Sequence, residues 1–206
     1  MKLENPIKVT IEWYTKSADI YKKLRSDTER DEVSRSYFLQ HIPGKKILDI
    51  WCAHWRDVCE FFKRWFEVTW IDLTPKFVEM AKEACPSADI KLMDMRKLEF
   101  EDKTFDGIRS CASFLHIPRK ESKKTLQWFH RVLKKWWLLF IAVIQWSWEW
   151  YDKRKKYYNV KRFFSFREKE DLEKELKEIG FLIKKSFINK PSDSSSIWIN
   201  IFAVAK

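Results

Sequence analysis

The alternation of short apolar segments with amphipathic helical segments constrains the fold of this chain more than any other feature. The apolar segments have the length of strands and lie at 45–50, 67–72, 89–95, 105–111 and 136–145. Residues of helical periodicity separate them, for example in 119–134. Strands that alternate with helices form a parallel sheet that is covered on both faces. We therefore expect a three-layer α/β fold.

The two ends of the chain depart from this alternation. After a helix that ends at Gly180, the strands predicted at 181–189 and 196–205 have only a polar turn between them. Strands joined without a helix pair antiparallel, so the last strand should run against the others. The first 40 residues lack strand patterning, and their apolar residues follow one side of a helix, which predicts a helical cover over the binding edge of the sheet.

We expect a single domain over 1–206. Its predicted parts are the helical cover at 1–40, the cofactor-binding core at 41–145, an insertion at 146–166 and a carboxyl-terminal helix with a strand pair at 167–206. The longest unbroken apolar run, Trp136–Ile144, has nine residues, whereas a membrane-spanning helix needs about 20. The start Met1–Pro6 has no apolar signal region, so we expect a cytoplasmic protein without membrane spans.

The net charge of +11 would favour contact with phosphates, and Lys153–Lys156 followed by two tyrosines forms the densest basic run. A solvated loop is the favoured interpretation of that run, and an RNA contact remains open. Cys52, His54 and Cys59 match no standard zinc spacing, so we predict no metal site. The chain has no C-x-x-C pair, which indicates reduced thiols.

Acidic residues end three successive predicted strands. Ligands of an open parallel sheet bind beyond the carboxyl ends of its strands. Asp49 precedes the loop 51–55, and Asp72, which lies 23 residues further on, can accept both hydroxyls of a ribose. Asp94 can accept a hydrogen bond from an adenine amino group or from a backbone amide. Together the three acids predict a nucleoside ligand without a bound phosphate.

With these acids in place, the chain resembles the class I S-adenosylmethionine-dependent methyltransferases, especially the small-molecule type with the motif D-x-G-x-G-x-G. The matching segments are ILDIWCAHWRD, VTWIDLTPKFVEMAKE, DIKLMDMRKLEF, FDGIRSCASFLHIPRKE and HRVLKKWWLLFIAV. The resemblance covers nearly the whole chain. It implies a Rossmann-like, seven-stranded and mostly parallel sheet with the last strand antiparallel. It also implies S-adenosylmethionine as methyl donor and S-adenosylhomocysteine as product.

The resemblance also implies a set of cofactor-binding residues. They are Tyr14, Tyr21, Asp49, Trp51, Ala53, Trp55, Asp72, Leu73, Asp94, Met95, Ser110 and Cys111. Asp49 and the loop 51–55 would face the methionine part, Asp72 the ribose, and Leu73 the adenine. Asp94 and Met95 would border the adenine edge, and Ser110 to Ala112 would lie beneath the sulfonium. The two tyrosines would close over the cofactor.

His116 follows the fourth strand on the same edge, so it is the candidate general base; packing against the rim is the alternative. The acceptor cannot be named from the sequence. The first hypothesis is an enzyme that methylates a small metabolite. The alternatives are a protein that has the fold without binding the cofactor and acts as a scaffold or binding module, and an RNA methyltransferase or RNA-binding domain. The sequence leaves the oligomeric state open.

The chain departs from the family in its glycine positions. It has 3 glycines and 12 tryptophans, whereas ordinary usage would give about 14 glycines. Trp51, Ala53 and Trp55 occupy the three glycine positions of the cofactor loop. A bulky residue in left-handed backbone costs about 1–2 kcal/mol. Ten tryptophans fall where the family favours glycine or where a turn is expected, at 51, 55, 65, 70, 128, 136, 137, 146, 148 and 150. We interpret this as systematic placement of tryptophan at glycine positions.

Overall fold

The computed structural model describes residues 4–25, 32–50, 61, 64–153, 158–191 and 196–206. The helices are α1 (Pro6–Arg25), α2 (Glu32–His41), α3 (Pro75–Ala84), α4 (Arg119–Val132) and α5 (Lys169–Ile179), with a 3₁₀ turn at Phe114–His116. The strands are β1 (Lys46–Ile50), β2 (Glu67–Asp72), β3 (Asp89–Leu92), β4 (Phe105–Cys111), β5 (Leu133–Ile144), β6 (Glu149–Lys153), β7 (Lys161–Ser165), β8 (Phe181–Asn189) and β9 (Trp198–Ala205).

Seven of these strands form one sheet, in the order β3-β2-β1-β4-β5-β9-β8. The strands β1 to β5 pair in parallel, and β9 runs antiparallel to both of its neighbours, β5 and β8. The strands β6 and β7 form a separate antiparallel hairpin within the predicted insertion. The prediction of a mostly parallel, seven-stranded Rossmann-like sheet with an antiparallel last strand is confirmed.

Successive side chains of the central strands are apolar and point alternately to the two faces of the sheet, so both faces are buried. Leu48 and Ile108 point into a core shared with α4 and α5, whereas Ile47 and Phe140 point into the core on the opposite face. Trp70 lies in β2 and is buried in that second core. This layering leaves the carboxyl ends of β1 to β4 along one edge, where the polar residues of the site collect.

Three predicted boundaries are wrong by a few residues. The third strand ends at Leu92, and Asp94 lies in the following turn, where its own carboxylate accepts the Arg96 backbone N–H at 2.8 Å. The helix α4 ends at Val132, and β5 starts at Leu133, three residues before the predicted start at 136. The register of β5 against β4 shifts between Leu133 and Leu138, as at a β-bulge. The strand therefore includes the polar residues 134 and 135, which interrupt the apolar pattern.

Different residues begin and end the helices α3 and α5. Pro75 occupies the first turn of α3, and the Thr74 side chain before it makes no capping hydrogen bond. The Asp72 carboxylate instead accepts the Thr74 backbone N–H at 2.7 Å, because an aspartate two residues earlier closes an Asx-type turn. Gly180 has a φ of 113° and ends α5, as predicted for a residue just past a helix.

The predicted amino-terminal cover contains two helices, α1 and α2, as expected from the lack of strand patterning. The side of α1 that carries Tyr14, Ala18 and Tyr21 packs with Phe77 and Met80 of α3. Within the described residues, no helix is long and apolar enough to cross a membrane.

Four of the tryptophans illustrate two kinds of position, left-handed backbone and regular secondary structure. Trp65 and Trp136 have left-handed backbone, with φ of 62° and 69°, and their side chains are 84% and 54% exposed. Residues 58, 61, 62 and 65 have the spacing of one face of a helix, but Trp65 itself lies in an exposed turn. Trp70 and Trp128 lie inside β2 and α4, in agreement with the predicted strand at 67–72 and the predicted helix at 119–134.

Candidate active site

An apolar cavity of about 40 Å³ lies at the carboxyl edge of the sheet. Its floor and walls come from the ends of β1 and β2, the turn after β3 and the 3₁₀ turn, and its roof comes from α1. The lining residues are Ile7, Thr10, Ile11, Ile50, Ile71, Asp72, Leu73, Thr74, Met93, Asp94, Met95, His116 and Ile117. Five predicted site residues therefore meet in one place, although they come from separate segments: Asp72, Leu73, Asp94, Met95 and His116.

Asp72 is the buried acid of this cavity. It ends β2 with 2% exposure, and its Oδ1 accepts the Thr74 backbone N–H at 2.7 Å. The turn that starts α3 thus fixes the orientation of the carboxylate. Leu73 follows it on the cavity wall. An acid next to apolar walls is the arrangement that a ribose with an attached base requires.

Asp94 is held by an arginine of its own turn. Arg96 donates from Nε and Nη2 to the Asp94 carboxylate at 2.7–3.1 Å, and from Nη1 to Glu121 at 2.7 Å. The hydrogen bonds that Arg96 donates to Asp94 raise the pKa of Arg96 above its usual value. Of the two predicted partners of Asp94, an adenine amino group and a backbone amide, the structure shows the backbone amide of Arg96, so the carboxylate orders the turn in which Met95 presents an apolar wall.

Asp49 forms a buried ion pair that the sequence interpretation missed. It faces Arg109 in the register of β1 and β4, and Arg109 Nη1 lies 2.9 Å from Asp49 Oδ2. The side chains of Arg109 and Asp49 are only 5% and 2% exposed. An arginine inside an apolar central strand needs an acidic partner, and that pattern in FDGIRSC could have indicated the pair.

The remaining predicted residues fall at two places. Trp51, Ala53 and Trp55 lie outside the described residues, as does the basic run Lys153–Lys156 apart from Lys153 itself. Ser110 is buried, and its hydroxyl lies 2.7 Å from that of Ser113, while Cys111 is half-buried at the end of β4. In the described segments, no group of three or more His, Cys, Asp and Glu side chains is placed to bind a metal ion.

His116 belongs to a buried hydrogen-bond network with Tyr14 and Arg162. The His116 Nδ1 lies 2.6 Å from the Phe163 carbonyl oxygen, which can only accept, so Nδ1 carries the proton in neutral histidine. The Nε2 atom therefore accepts from the Tyr14 hydroxyl at 3.0 Å. Arg162 Nη1 in turn donates to the Tyr14 oxygen at 3.0 Å. The network joins α1, the 3₁₀ turn and β7.

Burial controls the charge of this network. Desolvation, assisted by the nearby Arg162 charge, lowers the pKa of His116 to about 3. Burial also raises the pKa of Tyr14, although Arg162 partly opposes the shift. Both side chains are thus neutral near pH 7, and His116 serves as a hydrogen-bond acceptor in this network.

The predicted aromatic cover is displaced from the cavity. Tyr21 packs edge-on against Tyr14, with ring centroids 5.5 Å apart. Neither tyrosine lines the cavity, and Ile7, Thr10 and Ile11 of α1 form the roof instead. The apolar spacing of Ile7 and Ile11, one helical turn apart, is the signal that could have indicated them.

Comparison with known proteins agrees with this geometry. The family profile described as methyltransferase domain matches residues 47–136. No curated protein sequence matches the chain. A Burkholderia thailandensis 1,6-didemethyltoxoflavin-N1-methyltransferase, solved with 1,6-didemethyltoxoflavin and S-adenosylhomocysteine, is similar with a TM-score of 0.80 and 15% identity, covering 100% of this chain and 92% of its own.

Two further solved structures share the fold. A methyltransferase from Methanosarcina mazei, described as SAM-dependent, has a TM-score of 0.73 at 18% identity and covers 81% of this chain and 96% of its own. The [4+2]-cyclase SpnF has a TM-score of 0.73 at 13% identity and covers 94% of both chains. Residues 47–136 thus match a methyltransferase domain, and the sheet has the topology of these S-adenosylmethionine-dependent methyltransferase structures.

Proposed function

We propose that the chain transfers a methyl group to a small-molecule acceptor at the carboxyl edge of its sheet. The observation that carries the proposal is the buried Asp72 carboxylate beside the apolar wall of Leu73 and Met95. In this proposal Asp72 holds the ribose hydroxyls, and Leu73 and Met95 contact the adenine. Asp94 orders the turn that presents Met95, through its hydrogen bonds with Arg96.

The donor's methionine part would lie toward β1 and β4 in this proposal. Asp49 would face it from β1, with the Trp51, Ala53 and Trp55 loop, and Ser110 and Cys111 would lie beneath it at the end of β4. When bound, S-adenosylmethionine supplies an electrophilic methyl group. The protein's contribution is to hold the acceptor in line and to exclude water, effects that reach about 7–11 kcal/mol in intramolecular reactions.

The position of α1 supports a small acceptor. Tyr14 of α1 and His116 are buried beside β7, and His116 closes this side of the cavity. The cavity of about 40 Å³ is far smaller than the roughly 300–1,000 Å³ of ordinary ligand sites. We therefore expect α1 to move outward when the nucleoside enters. The Burkholderia thailandensis methyltransferase, solved with bound 1,6-didemethyltoxoflavin, is consistent with a small acceptor.

Calorimetric titration with S-adenosylhomocysteine tests the proposal. We expect Asp72→Asn to weaken binding by at least about tenfold, because the carboxylate hydrogen bonds to the ribose would be lost. Asp89→Asn is the matched control, since Asp89 starts β3 at the opposite edge of the sheet and is half exposed. Equal affinities of the wild type and Asp72→Asn would contradict the proposed site.

The tryptophans of the cofactor loop favour one second candidate, a scaffold that does not bind the cofactor. Two indoles at glycine positions of a ligand loop would occupy space that the ligand needs. The same titration distinguishes the candidates when a Trp51→Gly/Trp55→Gly variant is included. No heat from folded wild type, together with binding by the double variant, would favour the scaffold for the chain with its tryptophans.

A further inference from the structure

Arg162 is a buried cation behind Tyr14 and His116, close to the cavity at the carboxyl edge of the sheet. Its side chain is 11% exposed. The guanidinium carbon lies 4.1 Å from the centroid of the Trp13 ring and 4.4 Å from that of Phe164. Since Nη1 donates to Tyr14, which donates to His116, and His116 lines the cavity, the guanidinium is two hydrogen bonds from the cavity wall. The two rings fix its position.

The charge of Arg162 is incompletely compensated. The carboxylate oxygen with which it forms an ion pair, Asp152 Oδ2, is 3.9 Å from Nη2, beyond hydrogen-bond distance. The Nε–H is buried and has no hydrogen-bond partner among the described residues. Burying a cation with unused donors is costly. Arginine binds carboxylates and other planar anions through two adjacent donors, so Nε and Nη2 together match such an anion.

The neighbouring polar groups offer no base near pH 7. The pKa of His116 is lowered to about 3 by burial, and its Nε2 already accepts the Tyr14 hydrogen bond. The pKa of Tyr14 is raised, so its hydroxyl stays protonated. Within the described part of this network, no side chain is therefore suited to remove a proton from an acceptor at neutral pH. An acceptor that arrives as an anion does not need such a base.

We propose that the methyl acceptor is an organic anion that Arg162 binds through Nε and Nη2. The atom that is methylated belongs to this anion and carries no proton when the acceptor binds. This proposal rests on the proposed methyltransferase function. The acceptor's lone pair forms the bond to the methyl carbon, and the electron pair of the broken carbon–sulfur bond stays on sulfur. The methylated atom carries the negative charge and no proton, so the methylated product is neutral and the step releases no proton. Arg162 thereby selects anionic acceptors over neutral ones.

Benzoate and its neutral counterpart benzamide test this selection. Both are titrated calorimetrically into protein saturated with S-adenosylhomocysteine, whose own titration is recorded first. We expect benzoate to bind at least about tenfold more tightly than benzamide, since hydrogen bonds to charged groups have that strength. Arg162→Gln should abolish the preference, and Arg162→Lys should keep part of it. Lys161→Gln removes a neighbouring exposed charge and should keep all of it.

The outcomes separate this proposal from the proposed function. Binding of S-adenosylhomocysteine without a benzoate preference, including no heat from either probe, overturns the anion site and leaves the methyltransferase proposal standing. A benzoate preference that persists in folded Arg162→Gln also overturns it. Absence of S-adenosylhomocysteine binding overturns both. If Arg162→Gln does not fold, the wild-type preference and its partial retention in Arg162→Lys decide the question.

Discussion

The carboxyl edge of the sheet and the two left-handed positions at Trp65 and Trp136 place opposite demands on their residues. At the edge, Asp49 and Arg109 face each other across β1 and β4 at 2.9 Å, although both are buried. Trp65, in the turn before β2, and Trp136, within β5, adopt φ of 62° and 69° with exposed rings. Gly180 has left-handed backbone as well, and there the residue suits its conformation.

The difference indicates where the stability of this fold originates. At the edge, local chemistry and tertiary placement agree, since each buried polar group is positioned by a partner. At the two left-handed positions the surrounding structure imposes a conformation that tryptophan disfavours. The exposed indoles can extend into solvent, so the cost is backbone strain and not a steric clash in the core. The backbone at these positions is therefore determined by its context and not by the residues themselves.

Breaking the Asp49–Arg109 pair should have the largest effect on stability. We expect Arg109→Met to lower the free energy of unfolding by about 3–5 kcal/mol, because it leaves a buried carboxylate without its cation. Lys123→Met, which removes one partner of the exposed pair with Glu178, should cost less than about 1 kcal/mol. Urea unfolding measures both, and similar losses would show that the edge pair is no stronger than a surface pair.

The buried His116 should make stability depend on pH. Its pKa in the folded protein is about 3, whereas in the unfolded chain it is about 6.5, so the unfolded state binds the additional proton between these values. The contribution of neutral His116 to the free energy of unfolding is therefore fully present above about pH 6.5 and falls as the pH drops toward about 3. The loss is about 2 kcal/mol between pH 7 and pH 5.

Urea unfolding of wild type and His116→Gln at pH 7 and pH 5 isolates that contribution. The difference between the two variants should shrink as the pH falls, because only the wild type gains a proton on unfolding at this position. A substitution at the exposed His41 provides the control. A difference that stays constant from pH 7 to pH 5 would contradict a buried neutral His116.

Replacing the left-handed tryptophans should have the smallest effect, and with the opposite sign. We expect Trp65→Gly and Trp136→Gly each to raise stability by up to about 1 kcal/mol, because relief of strain exceeds the entropy cost of glycine. The gain at Trp136 should be smaller, since Lys135 lies 5.6 Å from its ring centroid.

Two control variants sharpen the comparison with ordinary positions. Trp150→Gly in β6 should lower stability by about 0.5–1 kcal/mol, since glycine weakens a strand. Gly180→Ala should also be destabilising, because its φ of 113° is unfavourable for alanine. Stabilisation at 150 as well as at 65 and 136 would mean that exposed tryptophan, and not left-handed backbone, causes the effect.

The order of the strands in the main sheet and of the helices between them could be predicted from the sequence, because each of these segments carries its own apolar periodicity. The boundaries near Asp94 and Leu133 could not, since a side-chain turn and a bulge decide them. The site was predicted where an acid follows an apolar strand, as at Asp72. The partners Arg109 and Arg162 were missed because pairing across strands depends on register and packing, which local patterns do not contain.

The sequence by itself determined the parallel sheet, its antiparallel last strand and the position of the acids at one edge. These follow from short-range patterns of burial and connection length. Only the tertiary structure decided that α1 roofs the cavity, that Asp94 is held by Arg96, and that Arg162 lies beside Tyr14 and His116. Those contacts join residues far apart in the chain, so their energies depend on the folded arrangement and not on neighbouring residues.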